Sequence, residues 1–263
     1  MEPQLKHTVA DGVATVVISN TAKRNAMTAA MWRALPALLD RLADDTGVRV
    51  LVLTGAGNTF CAGADISTLR DPHEDPREDP QRLAVQAEEA LAAFPKPTLA
   101  AVRGYCVGGG CQLAAACDLR FAEEGSLFGV TPAKLGIVYP AASTARLVSL
   151  VGPATAKYLL FSAELIGTDH ALRSGLLDEV VPRDQLGPRV AEFSRVLVSR
   201  SQLTQTAAKE FAAGQDDRGA YWRAAARDSD DPVEGVTAFL ERREPHFTWT
   251  PRPGAVLRGT TGG

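Results

Sequence analysis

Hydrophobic and polar positions alternate near the start of this chain in patterns that predict a strand, a helix and a second strand. Residues 13–18 alternate β-branched and small side chains, and residues 48–54 form a continuous apolar run, so both segments are predicted strands. Between them, Thr28 is placed to cap a helix whose apolar face consists of Met31, Leu35, Leu38, Leu39 and Leu42. Pro36 is expected to kink or interrupt this helix, because proline has no backbone N–H.

The same rhythm recurs further along the chain. Residues 98–102 are a predicted strand, and a helix is predicted after Gly110. This repetition predicts an α/β core built from successive turns of strand and helix. After Gly152 the pattern changes to helices, and Gly175 suits the C-terminus of one of them. These helices are predicted at residues 154–161, 169–174, 187–213 and 233–243.

One segment is charged and repeatedly interrupted by proline. Residues 70–80 are therefore predicted to form neither a packed helix nor a central strand. One interpretation is a solvated loop. The alternative is a mobile lid that brings His73 or a carboxylate into a nearby site. Residues 248–263, where glycine and threonine are frequent, are expected to form a flexible tail.

Composition narrows the functional classes. A chain of 263 residues with 45% hydrophobic content can bury a substantial core. The net charge of -3 and the scattered cations argue against a nucleic-acid partner. No apolar segment has the length of a secretory signal or a membrane span, so a soluble, cytoplasmic protein is expected, with no membrane partner.

The four cysteines lack the paired spacing of a metal site. They are Cys61, Cys106, Cys111 and Cys117, and the simplest interpretation is that they are small buried residues. Cys111 at a helix start is a second possibility, as a nucleophile, but no histidine is near it in sequence to support that role. No metal site is expected.

Two glycine-centred motifs carry the candidate chemistry. They span residues 61–66 (CAGADI) and 104–112 (GYCVGGGCQ), and each follows a strand-like run and is predicted to open a helix. The first amides of a helix are unpaired and carry partial positive charge. Two such ends that converge on a carbonyl would bind the oxyanion formed when a thioester becomes an enolate. Residues 55–57 (GAG) lack the third glycine of a dinucleotide fingerprint and are interpreted as a turn.

These motifs resemble the crotonase superfamily, the enoyl-CoA hydratase/isomerase family. The resemblance extends to residues 23–27, 128–136 and 171–181, and it covers the chain from about residue 5 to 247. It implies a ββα spiral core with the CoA thioester site over residues 1–195 and a C-terminal helical oligomerisation region over 196–247. It also implies a homotrimer or a dimer of trimers, an acyl-CoA substrate, and no cofactor, since coenzyme A is part of the substrate.

The resemblance also assigns the site residues. The backbone N–H groups of Ala64 and Gly109 correspond to the oxyanion hole. Lys23 or Arg24 is available for phosphate, although an exposed pair of cations is often only solvated surface, and Asp65 has an alternative structural role at its helix start. The full set of substrate-binding candidates is Arg24, Ala26, Ala62, Asp65, Ile66, Tyr105, Gly108 and Pro132.

The family's two hydratase glutamates have no counterpart in this register. Gln112 follows the Gly-Gly-Gly-Cys segment, and Thr131 and Pro132 follow Phe-Gly-Val. Hydration of an enoyl thioester needs one group to take a proton from water and another to protonate the α-carbon. Neither an amide nor a proline does this, so ordinary hydration is disfavoured. Gln112 is then either a hydrogen-bonded core amide or a group that positions water or substrate.

Tyr139 stands where most hydratases have proline. The pattern Thr-Pro-x-x-Leu-Gly-x-x-Tyr resembles the methylmalonyl-CoA decarboxylase branch, although that branch has a histidine where this chain has Ala64. Decarboxylation needs no base, and the phenol of Tyr139 could orient the carboxylate or relay a proton; a wall residue is the simpler interpretation. Isomerisation requires one carboxylate, from Glu74, Glu78, Glu88 or Glu89. A non-catalytic acyl-thioester-binding protein remains the alternative of another class.

Overall fold

A computed structural model describes residues 2–65 and 79–251 of the chain. Its strands are β1 (Gln4–Ala10), β2 (Val13–Ser19), β3 (Val50–Gly55), β4 (Thr98–Val102), β5 (Tyr105–Val107), β6 (Leu119–Glu123), β7 (Leu127–Gly129), β8 (Ile166–Gly167) and β9 (Glu179–Val181). Its helices are α1 (Ala29–Asp44), α2 (Pro80–Ala92), α3 (Gly109–Ala116), α4 (Ala141–Ser162), α5 (Thr168–Arg173), α6 (Leu186–Val198), α7 (Gln202–Ala212), α8 (Gly219–Arg227) and α9 (Asp231–Glu241).

Within the described residues, the strands form a larger and a smaller sheet. The larger sheet has the order β1-β2-β3-β4-β6-β9, with β1 and β2 antiparallel and every other pair parallel. The smaller sheet has the order β5-β7-β8, in which β5 and β7 run parallel. Parallel neighbours need crossover connections, and here α1 joins β2 to β3 while α2 lies between β3 and β4. The mixed α/β architecture expected from the sequence is therefore confirmed.

The larger sheet packs on both faces. On one face, β3 side chains such as Leu51 and Leu53 join a large apolar cluster with α1. On the other face, Val52 and Leu99 pack with Leu186 of α6. A strand covered on both faces has no polar side to maintain, which explains the continuous apolar run of β3.

Helix α1 begins as predicted but continues through its proline. The Thr28 side chain accepts a hydrogen bond from the backbone N–H of Met31 at 3.3 Å, so the predicted cap is confirmed. The predicted interruption at Pro36 is wrong, because the helix runs unbroken to Asp44. Apolar side chains on both sides of Pro36 are buried, and each such side chain stabilises the fold by about 1.5–3 kcal/mol, which together outweigh the lost hydrogen bond.

The C-terminal half differs in detail from the sequence pattern. Helix α4 starts at Ala141, earlier than predicted, and Gly152 breaks its regular geometry with a φ of +72°. The single helix predicted over 187–213 is wrong; it is two helices, because Ser201 caps the start of α7. Helix α8 was not predicted. The proposed boundary at residue 195 falls inside α6, and the division into regions stays a prediction.

The charged segment is described only at its end. Pro80, assigned by sequence to the loop, is the first residue of α2, where proline is well suited because the first N–H of a helix has no partner. Asp79 caps this helix by accepting from the N–H groups of Gln81 and Arg82. The predicted lid residues His73, Glu74 and Glu78 lie outside the described residues. No helix in the described part of the chain is both long and apolar enough to cross a membrane.

Candidate active site

The two glycine motifs lie side by side. The Cys61 N–H donates to the carbonyl of Tyr105 at 2.9 Å, and the Val107 N–H donates back to the carbonyl of Cys61 at 3.0 Å. These bonds make a short parallel pairing between segments that are more than forty residues apart in sequence. Their backbones consequently enter the same region, immediately before α3 starts.

The amide nitrogens of Ala64 and Gly109 are neighbours at this point. A Cβ atom built on Gly109 would lie 3.6 Å from the Ala64 nitrogen, and one built on Gly63 would lie 3.4 Å from the Gly109 nitrogen. Within residues 2–65 and 79–251, neither nitrogen has a hydrogen-bond acceptor. Gly109 is the first residue of α3, so its N–H also lies at the positive end of a helix dipole. The sequence prediction that these two amides converge is supported by this geometry.

A loop after β2 holds the first motif in place. The Met27 N–H donates to the carbonyl of Gly63, and the Asp65 N–H donates to the carbonyl of Met27, both at 2.8 Å. Buried Asn25, at a φ of +57°, donates to the carbonyls of Ala56 and Thr59 at 2.8 and 2.6 Å. Because asparagine tolerates the left-handed conformation, it can hold this bend and satisfy the buried carbonyls together.

The paired amides open into a cavity of about 150 Å³. Its walls combine Trp32 of α1, the start of α2, the two motifs, and the segment between β7 and α4. Larger hollows of about 400 and 760 Å³ lie elsewhere, but they contain neither motif. Among the described residues, the lining includes no Asp, Glu, His, Lys, Arg or Cys; it consists of Trp32, Ala62, Gly63, Ala64, Pro80, Gln81, Ala84, Gly108, Gly109, Gln112, Thr131, Pro132, Leu135, Ile137, Tyr139 and Pro140.

Gln112 contacts a buried carboxylate behind the cavity wall. Its Nε2 donates to Glu88 Oε2 and to Ser143 Oγ, the latter at 2.9 Å. The Ser143 hydroxyl and Arg146 Nη1 also donate to Glu88, which is 1% exposed. Burial lowers the pKa of Arg146, but the Glu88 and Glu89 carboxylates together raise it by more than burial lowers it. The pKa of Arg146 is therefore above its ordinary value. Gln112 is thus a hydrogen-bonded amide that also lines the cavity.

Tyr139 lies in the segment between β7 and α4 and also lines the cavity. Burial raises its pKa well above the ordinary value for a phenol, and the negative charge of Glu88 adds to this effect. The hydroxyl therefore stays protonated at neutral pH. It can donate a hydrogen bond but cannot act as a base.

The predicted site residues divide into two groups. The structure brings together Ala62, Ala64, Gly108, Gly109, Gln112, Pro132 and Tyr139 around the cavity. The remaining described candidates do not line it; they are Arg24, Ala26, Asp65 and Tyr105. Ile66 lies outside the described residues.

Three of the remaining candidates, Arg24, Asp65 and Tyr105, form side-chain contacts near the first motif. Asp65 Oδ2 accepts from Lys23 Nζ at 2.7 Å, and the helix start that Asp65 was expected to cap lies outside the described residues. The Arg24 guanidinium lies 5.0 Å from the centre of the Tyr105 ring. The roles proposed for these residues toward phosphate and nucleotide stay predictions.

The sequence pattern missed several residues of the site. Trp32 forms one wall, and its buried Nε1–H has no partner within the described residues. Ser143 and Arg146 lie on α4, and no sequence motif marks them. The apolar face of α1 could have indicated Trp32, which follows Met31 and is 1% exposed. The contacts of Glu88 join three helices and have no local signal.

All four cysteines are free and buried. Burial raises the pKa of Cys61 and of Cys117 to about 12. The interpretation as small buried residues is confirmed. No group of three or more His, Cys, Asp or Glu residues that could hold a metal ion occurs in the described ranges.

A family model for enoyl-CoA hydratase/isomerase matches residues 8–250. The chain belongs to this family. It is 37% identical over 213 residues to crotonyl-CoA hydratase of Syntrophomonas wolfei, covering 78% of this chain and 82% of that protein. It is 34% identical over 245 residues to 2,3-dehydroadipyl-CoA hydratase of Escherichia coli K12, covering 89% and 94%.

Solved structures of the family share its fold. A crystal structure of an enoyl-CoA hydratase/isomerase family member superposes with a TM-score of 0.89 at 41% identity, covering 95% of this chain and 98% of that one. A family protein from Hyphomonas neptunium gives a TM-score of 0.88 at 33% identity, covering 93% and 97%. The crotonase fold expected from the resemblance is confirmed.

Proposed function

We propose that this protein acts on an acyl-CoA thioester through an enolate held by the amides of Ala64 and Gly109, and that decarboxylation of a malonyl-type thioester is favoured over hydration. The named hydratases among its relatives support the thioester as substrate class. Coenzyme A enters as part of the substrate, and no further cofactor is required. We also propose that the protein forms a homotrimer or a dimer of trimers, as the family resemblance implies.

The observation that carries this proposal is the chemistry of the cavity wall. Two unpaired backbone amides face a lining that contains no acidic or basic side chain among the described residues. The amides suit a developing oxyanion, because two fixed donors stabilise its charge without reorganising. Hydration additionally needs a general base and a general acid, and the Gln112 and Pro132 side chains supply neither.

Decarboxylation makes fewer demands on the protein. The carbon–carbon bond to the carboxylate breaks, its electron pair becomes the enolate, and carbon dioxide leaves without transferring a proton. An apolar wall of Ala, Pro, Leu and Ile disfavours the charged carboxylate and so favours its loss. Tyr139 remains a neutral phenol, so it is able to orient the carboxylate or to return a proton to the α-carbon.

Isomerisation of a double bond is the second candidate. It needs a single carboxylate that removes and returns one proton. Glu88 is buried directly behind Gln112, and this proximity favours the candidate. The intervening amide separates Glu88 from the cavity, however, and for that reason we place decarboxylation first.

A panel of thioesters tests these alternatives. The protein is incubated with malonyl-, methylmalonyl-, crotonyl- and 3-butenoyl-CoA. The products are separated by chromatography, and their masses are measured by mass spectrometry. Loss of carbon dioxide supports the proposal, with Tyr139→Phe expected to slow it. Rapid gain of water by crotonyl-CoA would overturn it in favour of an unconventional hydratase. Tight binding without any product would identify a non-catalytic thioester-binding protein.

A further inference from the structure

A second hollow, here called the α6 groove, lies between α6 and the larger sheet. Its volume is about 400 Å³, compared with about 150 Å³ for the cavity at the paired amides, and the two share no lining residue within the described part of the chain. Side chains of β2, β3 and β4 form its floor, and α6 forms one wall. The small residues Ala101, Gly187 and Ala191 leave this space unfilled. The α6 groove is therefore a separate candidate site.

Helix α6 lies along the groove antiparallel to the strands. At its C-terminal end, the Val198 carbonyl accepts from Arg49 Nε at 3.0 Å, and a Cβ atom built on Gly12, just before β2, would lie 3.1 Å from Val198 Cγ1. At its N-terminal end, a Cβ atom built on Gly187 would lie 3.6 Å from Nη2 of Arg103, which follows β4. Both ends of the groove are thus held by contacts between α6 and residues beside the sheet.

The end of the groove at Arg103 suits a carboxylate. Arg103 Nε forms an ion pair with Glu123 at 3.3 Å, and within the described residues its Nη groups have no hydrogen-bond acceptor. Gly187 is the second residue of α6, and the first amides of a helix have no acceptor inside the helix. No side chain caps this helix start. A guanidinium group beside an uncapped helix amide favours an anion, because both carry donors and positive charge.

The far end of the groove contains a buried hydroxyl. Helix α6 faces the sheet with Leu186, Val190 and Ser194, which are four residues apart and all buried. Ser194 is 1% exposed, and its Oγ has no hydrogen-bond partner within the described residues. A buried hydroxyl without a partner is destabilising, and rotation about χ1 turns it toward the groove. Asp11 and Arg195 also line this end, and neither forms an ion pair with another described residue. Acceptors and donors together suit a ligand hydroxyl, which is both.

We propose that the α6 groove binds a linear carboxylate of about six to eight carbons whose far end carries a hydroxyl. Its carboxylate lies at Arg103 and the Gly187 amide, and its hydroxyl lies at Ser194. The chain between them packs on Val52 and Val190. Gly187 and Ser194 are about 10 Å apart along the helix, and an extended chain advances about 1.2 Å per bond, so an eight-carbon hydroxy acid spans this length. The site does not depend on the thioester chemistry of the proposed function.

Affinities of three eight-carbon acids test this site. Dissociation constants are measured by calorimetry for 8-hydroxyoctanoate, octanoate and octanedioate. The hydroxy acid should bind about threefold to tenfold more tightly than octanoate, the factor expected for one hydrogen bond, and more tightly than octanedioate, whose second carboxylate would meet Asp11. Arg103→Gln should weaken binding of the hydroxy acid by about tenfold or more, because its carboxylate loses a charged donor. Arg227→Gln, which removes the same charge from an exposed position on α8, is the matched control and should leave the affinity unchanged.

A second variant covers the case in which Arg103→Gln does not fold. Ala191 is exposed on α6 and lines the groove, so Ala191→Phe fills the groove from its rim and should abolish binding of 8-hydroxyoctanoate while thioester turnover is unchanged. Unchanged affinity in either folded variant would overturn the inference, because the acid would then bind elsewhere. Absence of binding to the wild type up to about 10 mM, or a hydroxy acid that binds no more tightly than the other two acids, would also overturn it. None of these outcomes bears on the proposed function.

Discussion

Replacement of Gly109 by alanine tests the paired amides most directly. The new Cβ would lie 2.9 Å from Trp32 Cζ2, 3.2 Å from Trp32 Cη2 and 3.6 Å from the Ala64 nitrogen. The methyl group therefore overpacks against the indole and occupies space beside the second donor. The substitution does not alter the N–H of residue 109 itself, so its effect comes from blocked access and not from a lost donor.

The expected effects on stability and on turnover differ in size. Overpacking costs about 1–3 kcal/mol. Alanine is a better helix former than glycine by up to about 1 kcal/mol, which offsets part of that cost at the start of α3. The net loss of unfolding free energy is therefore about 0–3 kcal/mol. Turnover should fall by about 100-fold or more, because an oxyanion that reaches only one donor loses about 3 kcal/mol of stabilisation.

The double variant Gly109→Ala/Trp32→Phe separates the two effects. Phenylalanine lacks the indole atoms Cζ2 and Cη2 that the new methyl group would contact. Gly109→Ala should therefore cost less stability in the Trp32→Phe background than in the wild type. Turnover should remain low, because the methyl group still lies beside the Ala64 nitrogen. Urea denaturation and turnover of the reactive thioester are the measurements. Recovery of turnover together with stability, or full turnover in Gly109→Ala alone, would refute the assignment of the oxyanion site.

Three further outcomes are expected. Tyr139→Phe should reduce decarboxylation by about tenfold or more while thioester affinity changes little, measured as separate effects on kcat and KM; equal rates would make Tyr139 a wall residue. All four cysteines should resist a thiol-reactive dye in the native protein and react after denaturation, and rapid labelling of Cys61 would contradict its pKa of about 12. Burial lowers the pKa of Lys96 to about 8, so between pH 8 and 10 the unfolded state binds more protons than the native state. The unfolding free energy of the wild type, relative to that of Lys96→Met, should therefore rise by up to about 1.4 kcal/mol per pH unit in this range. Urea titrations that give the same difference between the two proteins at every pH would contradict this.

The sequence predicted the strands and helix ends that depend on hydrophobic periodicity and on capping by nearby residues. The alternating pattern before Ser19 and the apolar run before Gly55 are strands in the structure, and Thr28 caps α1. The glycine motifs predicted where backbone approaches backbone. A side chain at Gly110, for example, would place its Cβ 2.3 Å from the carbonyl oxygen of Cys61, so the sequence had to leave that position open.

The sequence could not predict features that depend on contacts between distant segments. Pro36 stays inside α1 because burial of the helix face decides the conformation, and no local rule reports that burial. The first six residues of α4, 141–146, include no large apolar residue, and Ser143 and Arg146 among them contact Glu88 of α2. An ion pair between residues more than fifty positions apart produces no repeating sequence pattern in either helix, so it cannot be recognised from either segment alone.

Residues 88 and 112 form one hydrogen-bonded unit, so the side chain at one position constrains the side chain at the other. If a glutamate stood at 112 with Glu88 in place, two carboxylates would be in contact behind an apolar wall, and only one could ionise. Arg146 contacts the Glu88 oxygen on the far side from Gln112, so the second negative charge would have no matching cation. A glutamine at 112 instead supplies a hydrogen-bond donor to the buried Glu88 side chain. Residue 112 thus donates a hydrogen bond to an inner ion pair, and its amide also lines the cavity, where it supplies neither a general acid nor a general base.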